Sequence, residues 1–313
     1  MDYIFFILGT IFIFIGSNLL IDNSKLIAIS LGVSPFVIGL TLIAFGTSLP
    51  ELIISMFASF EGEGDIVIGN VIGSNIANIA LVLSIIAIWK SITFKYVNLK
   101  ESLGYIIIST VMLVIIVLNN SLTLIPGLIF LILFAIYIYN QFKTVNRNSD
   151  SGKNKAINFH IKYLFFAFIG ILLLGWGADL FINGAIGIAM SLGVPIIVVS
   201  LSVVALGTSI PELVTSIVAI QKNESNFVLG NILGSNIINI ILVLGTSIII
   251  NPINVYNSDF AIIYNTKISL IFMLITTVLL ICIVRFKNQV NQFYGLILLS
   301  IYIIFIYLNF IQQ

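Results

Sequence analysis

Two glutamates sit where an apolar chain can least easily keep a charge. Glu51 in GTSLPEL and Glu212 in GTSIPEL each follow a proline inside a long apolar run, and the stretches around them, 44–78 and 205–239, repeat one another at a constant offset of 161 without a gap. A carboxylate at membrane depth is costly enough to mark a functional site, and two at equivalent places of a duplicated chain point to a cation pathway. The spacing supplies further oxygens. Thr47 and Ser48 precede Glu51 by four and three residues, so hydroxyls and carboxylate share one helix face. Asn70, Ser74 and Asn78 follow at intervals of four, as do Asn231, Ser235 and Asn239 in the second copy. Pro50 and Pro211 lack an N–H and clash with the carbonyl four residues back, so the carbonyls near Gly46 and Gly207 are expected to lose their helical partners and both helices to break at the bilayer centre. Freed carbonyls persist at that depth only where they are buried in protein or line a polar cavity. Together the copies can gather carboxylate, amide, hydroxyl and carbonyl oxygens around one midplane cavity. Such a set suits hard cations, Ca2+ taking about six to eight oxygens; with neither thiolate nor imidazole it disfavours soft metals.

Composition places those residues in a bilayer. Of 313 residues 60% are hydrophobic and 8% charged, and the mean hydropathy is +1.21, whereas a soluble domain carries about a quarter charged residues. A net charge of +1 with no basic stripe argues against nucleic-acid binding. The single cysteine, Cys282, excludes an intramolecular disulfide or cysteine cluster, and the lone His160 excludes a two-histidine zinc site. The same scarcity leaves no nucleophile–base pair for a membrane-embedded hydrolase. Asp2 and the absence of a basic leader or small-residue cleavage site predict a retained first helix rather than a signal peptide.

The elements that must position the acids follow from run length. Spans of about 20 apolar residues cross the hydrocarbon core, and the sequence offers ten, near 3–21, 33–60, 66–89, 102–119, 122–142, 161–189, 195–220, 227–250, 260–283 and 291–311. The polar stretch 143–160 reads as a solvated cytoplasmic linker between a first five-helix repeat, 1–142, and a second, 161–313. An odd number of helices per half reverses the second copy, so the expected fold is an all-α, polytopic membrane protein of ten transmembrane helices in two inverted five-helix repeats. With both termini outside, every Lys and Arg of the 13 except Lys267 falls in an inner loop or at its edge, as the positive-inside rule asks. The outer loop after the second span carries Glu61, Glu63 and Asp65 instead, a charge run that a solvated turn alone would explain.

These residues resemble the sodium/calcium exchanger family, prokaryotic type, within the calcium/cation antiporter superfamily. That family carries GTS-x-PE in its second and seventh helices and G-N-x-x-G-S-N in its third and eighth, and the resemblance covers both repeats and most of the ten-helix architecture. It implies a secondary active antiporter exchanging Ca2+ for Na+ by alternating access, not an enzyme, with Glu51 and Glu212 ligating the ions directly. It further implies oxygens from Thr47, Ser48, Thr208 and Ser209, carbonyls from Ala44 and Ala205, and completion of the site by Ser74, Asn78, Ser235 and Asn239. The implied partners are the transported ions and membrane lipid, with no cofactor, nucleic acid or obligate protein partner. The implied home is the prokaryotic cytoplasmic (plasma) membrane, multi-pass, with the N-terminus outside. Some members, among them the potassium-dependent branch, have aspartate where this chain has Asn239, so transport independent of K+ is expected. A proton-coupled exchanger using the same glutamates, or a gated cation channel, stays open on the residues alone.

Overall fold

An apolar run in lipid must satisfy its backbone internally, which leaves helix as the available form for segments such as these. The computed structural model describes residues 1–94, 96–120, 122–148, 159–192, 207–254, 260–287 and 289–311. Its helices are α1 (Asp2–Leu31), α2 (Pro35–Thr47), α3 (Leu49–Glu61), α4 (Gly64–Trp89), α5 (Tyr96–Leu118), α6 (Leu124–Asn148), α7 (Ile161–Ser191), α8 (Ile210–Gln221), α9 (Ser225–Ile250), α10 (Phe260–Phe286) and α11 (Gln292–Ile311). Among the described residues seven of these, α1, α4, α5, α6, α7, α9 and α10, are long and apolar enough to cross a membrane, and α2 with α3 makes an eighth span bent by 45°. The expected seventh span, 195–220, falls partly outside the described residues and is represented by the 12-residue α8. The expected tenth is α11, whose apolar part, Gln292–Leu308, is shorter than a full span. Of the stretch read as a linker, 143–148 continues α6, 149–158 lies outside the described residues, and Phe159 and His160 lead into α7.

The described residues form two compact units, each drawing on both halves of the sequence. The first comprises Met1–Leu49 and Tyr139–Asn231. Its main contact is α1 against α7, which run antiparallel: Gly16 packs on Gly170 and Leu174, while Gly177 packs on Ile13. A Cβ at Gly16 would lie 2.7 Å from the Gly170 carbonyl oxygen, and one at Gly170 2.8 Å from that of Gly16. Only hydrogen in place of a side chain allows this backbone approach. At 30 and 31 residues the two helices are each about 45 Å long at about 1.5 Å per residue, more than the hydrocarbon core needs. At one end of the pair Lys25 Nζ meets Glu224 at 2.7 Å and Lys222 Nζ meets Asp22 at 2.6 Å. Inside, the Ser17 and Thr215 hydroxyls lie 3.3 Å apart and join α1 to α8.

The second unit comprises Pro50–Ile138 and Ile232–Gln313, with Phe130 and Tyr137 among its largest fully buried side chains. Here equivalent residues of the two copies touch: the Asn236 amide donates to the Asn75 carbonyl at 3.2 Å, and the two positions are 161 apart. The loop ends repeat the relation. Strand β1 (Ile92–Thr93), which follows α4, pairs antiparallel with β2 (Gln289–Val290), which precedes α11. Ile253, which follows α9, forms an antiparallel bridge with Leu122, which precedes α6.

Candidate functional site

The break in the α2–α3 span lies at Ser48, two residues before the proline. Ser48 has φ −85° and ψ 5°, and Ser209, which starts α8, has φ −89° and ψ 3°. In both copies the proline sits in the first turn of the next helix, where a missing N–H costs nothing because no intrahelical partner is due there. Glu51 and Glu212 therefore occupy first turns, where the positive end of the helix dipole favours a carboxylate. Both side chains are 0% exposed.

Within the first unit, the Thr47 hydroxyl donates to Asn231 Oδ1 at 3.0 Å and lies 3.3 Å from the Ala44 carbonyl oxygen. That carbonyl also accepts from the Ser48 N–H at 3.0 Å, so it must yield part of this bonding to ligate an ion. The hydroxyls of Ser48 and Ser209 are buried and, among the described residues, have no hydrogen-bond partner. Thr208 and Glu212 are buried in the same unit, and Ala205 lies outside the described residues. The spacing argument had not singled out Ser216, also buried with a partnerless hydroxyl among the described residues, or Thr215, tied to Ser17.

Within the second unit Asn70 acts as a strut. Its amide donates to the Glu51 backbone carbonyl at 3.1 Å and to Ser55 Oγ at 2.9 Å, fixing the start of α3 against α4. The Ser74 hydroxyl donates to the Asn70 carbonyl of its own helix, leaving its lone pairs free to face a ligand. One turn further, both long helices change their winding: 78–82 and 239–244 are π-helical, each beginning at a candidate asparagine. Such bulges displace carbonyls from the regular ladder and recur at functional sites. The amides of Asn78 and Asn239 are fully buried, and neither their oxygen nor their nitrogen has a hydrogen-bond partner among the described residues. Ser235 and Glu51 are also buried in this unit. A buried polar group left unbonded costs about 1–3 kcal/mol, and these occur in pairs at equivalent positions of the two copies.

Comparison with known proteins completes the description. The family model described as sodium/calcium exchanger protein matches residues 1–143 and 162–311. An uncharacterized membrane protein of Methanocaldococcus jannaschii is 34% identical over 304 residues, covering 96% of this chain and 95% of that one. The sodium/calcium exchanger MaX1 of Methanosarcina acetivorans is 30% identical over 352 residues, covering 99% and 98%. A solved structure of the sodium-calcium exchanger NCX_Mj, soaked with 2.5 mM Na+ and 0.1 mM Ca2+, superposes with a TM-score of 0.79 at 33% identity, covering 97% of this chain and 96% of that one.

Proposed function

The chain belongs to the sodium/calcium exchanger family, and from that premise we propose that it exchanges Ca2+ for Na+ through ligands contributed by both copies of its repeat. It is a multi-pass membrane transporter, not an enzyme, and the two ions are its substrates. The observation that carries the ligand assignment is the matched set of buried groups without hydrogen-bond partners among the described residues: the Ser48 and Ser209 hydroxyls and the Asn78 and Asn239 amides. A folded chain keeps such groups when something other than protein bonds them. In this reading Glu51 and Glu212 supply the charge, balancing one Ca2+ or two Na+. Thr47, Thr208, Ser74 and Ser235 add hydroxyl oxygens, and Ala44 and Ala205 add carbonyls. Because the ions share ligands they compete, and only a neutralised site crosses the apolar barrier between inward-open and outward-open states, which makes the transport an exchange. With an amide at Asn239 the site holds no third carboxylate and needs no K+.

The two five-helix halves are inverted repeats in a prokaryotic cytoplasmic membrane, with both termini outside and lipid as the only other partner required. Contacts within each unit support this sidedness. Lys25 with Glu224 and Lys222 with Asp22 join segments assigned to the cytoplasm, while Asn120 with Asn254 and Asn251 with Ser59 join segments assigned to the outside. The decisive experiment is 45Ca2+ uptake into proteoliposomes under Na+, K+ and H+ gradients imposed in turn. An outward Na+ gradient alone should drive accumulation. Uptake driven by a pH gradient instead identifies a proton-coupled exchanger, and Ca2+ flux coupled to neither identifies a channel.

A further inference from the structure

Thr47 is the last residue of α2, and its hydroxyl has a single proton for two acceptors within reach, both in the first unit. The Ala44 carbonyl oxygen lies 3.3 Å away and Asn231 Oδ1 3.0 Å away. Ala44 already accepts from the Ser48 N–H at 3.0 Å, so the shorter bond, to the asparagine, is the better place for the proton. Thr47 and Asn231 are 0% and 1% exposed, which keeps bulk water from competing. The helices that carry the pair are also held in close contact. A Cβ at Gly230 would lie 2.5 Å from the Phe36 carbonyl oxygen and 2.8 Å from Gly39 Cα, so α2 and α9 approach as only glycine allows.

The equivalent asparagine of the first copy is used differently. Asn70 spends its amide nitrogen on Ser55 Oγ and the Glu51 carbonyl, both within its own copy. The second copy offers Asn231 the same partners at the same offsets, Ser216 and Glu212. That strut is not made: among the described residues Asn231 Nδ2 and Ser216 Oγ are both buried without a hydrogen-bond partner. Two buried polar groups left unbonded carry the full cost of their desolvation. The sequence still encodes the strut, and the fold forgoes it while Asn231 Oδ1 sits on Thr47.

The bond has a chemical use. A hydroxyl ligates a cation through an oxygen lone pair, so its proton must point away from the ion and be lodged on another acceptor. Asn231 Oδ1 lodges it. The same choice relieves the Ala44 carbonyl of one of its two donors and returns a lone pair to it. Asn231 is itself ill suited to ligation, because its oxygen is engaged by Thr47 and its nitrogen is a donor, which a cation repels.

We propose that Asn231 is a positioning residue of the ion site: it holds the Thr47 proton so that the Thr47 hydroxyl and the Ala44 carbonyl present oxygen to Ca2+ or Na+, without touching the ion itself. The inference rests on the exchange reading for the identity of the ligands and adds the group that orients two of them.

The test is equilibrium binding of 45Ca2+ to purified full-length protein, paired with the unfolding midpoint measured without ions. Asn231→Leu should weaken Ca2+ binding by about ten- to hundredfold, the range expected when a group that orients a metal ligand is removed. Its ion-free midpoint should be no lower than the parent's, since the amide nitrogen has no bond to lose. Asn70→Leu, which removes two bonds that anchor α3, should lower the midpoint. A residue that merely pins α2 to α9 would behave like Asn70, and a lowered midpoint with unchanged binding in Asn231→Leu overturns the proposal. Thr47→Val should itself weaken binding to a similar degree, and adding Asn231→Leu to it should cost less than about twofold more, because the group it acts through is gone. Equal cost in both backgrounds, or unchanged binding in Thr47→Val, overturns the proposal, as does a parent protein that binds no Ca2+. Monodisperse elution shows that each variant is folded, and Asn231→Ala repeats the measurement should the leucine variant fail. Ca2+ binding with this coupling but without Na+-driven uptake would end the exchange reading alone. Na+-driven uptake without the coupling would end this inference alone.

Discussion

The two copies of the repeat agree at their centres and part company at their ends. At the centre the serines of the helix break adopt the same backbone, φ −85° and ψ 5° against φ −89° and ψ 3°, and the π-helical turns begin at equivalent asparagines. Eleven to fifteen residues further on, the turns share one cap but not one chemistry. Gly62 and Asn223 both take positive φ, 82° and 60°, and both caps carry the same pair of bonds, Glu63 to Ala58 and Glu224 to Ala219, each 2.8 Å. Around the first stand Glu61, Glu63 and Asp65; around the second stand Lys222, Glu224 and Asn226, with Lys222 and Glu224 engaged by Asp22 and Lys25. A centre that must serve an ion from either side has reason to stay symmetric. In the proposed inverted topology the ends would meet different solutions, one cytoplasmic and one external, which would account for the difference in their charges.

The largest effects should come from the centre and should be equal in the two copies. Glu51→Gln and Glu212→Gln are each expected to reduce Na+-driven Ca2+ uptake to background while the protein remains monodisperse, because in the proposed site either change removes one of the two charges that would balance Ca2+. Near-normal uptake by one of them would break the symmetry and the ligand assignment together. The ends should be all-or-none in the opposite sense. With Cys282, which is exposed, first replaced, a cysteine at Glu61 should react with an impermeant maleimide from outside intact cells and one at Ser151 should not; labelling at Ser151 from outside would reverse the sidedness.

Next in size are the asparagines. Asn78→Ala and Asn239→Ala remove buried amides that lack partners among the described residues, so without ions the variants should be no less stable than the parent. If the amides ligate the substrate, the Ca2+ concentration for half-maximal uptake should rise about ten- to hundredfold, the loss of about 1.5–3 kcal/mol expected for a bond to a charged partner. Loss of stability with unchanged half-saturation would make them packing residues. Asn239→Asp should add a dependence on K+ or on pH as the new acid titrates, and wild-type flux that already requires K+ would contradict the reading. Smallest of all, Lys222→Gln should shift the unfolding midpoint only slightly, since exposed ion pairs are worth less than about 1 kcal/mol, and the shift should vanish at high salt. A large shift that persists in salt would move that pair from the solvated end to the structural core.

What could be read from residues alone was whatever is local in the chain. Run length and the cost of bare backbone in lipid mark the spans, and the offset of 161 marks the duplication. The isolation of Glu51 and Glu212 among apolar residues marks the acids, because none of these needs knowledge of a neighbour in space. Proline chemistry predicted a break in each motif without naming the residue at which the chain turns. Pro50 clashes with the turn before it, yet a helix start accepts proline, so the chain turns at Ser48 and puts Glu51 at a helix N-terminus. Interval counting could not separate Asn70 from Asn78, since both lie on one face of α4. Only the fold sends the first to Ser55 and the Glu51 carbonyl as a strut and leaves the second buried and unbonded among the described residues. The π-helical turns and the pairing of Ile92 with Val290 and Leu122 with Ile253 were likewise decided by tertiary structure. Each depends on which distant backbone arrives within bonding distance, and a chain read in one dimension carries no such distance.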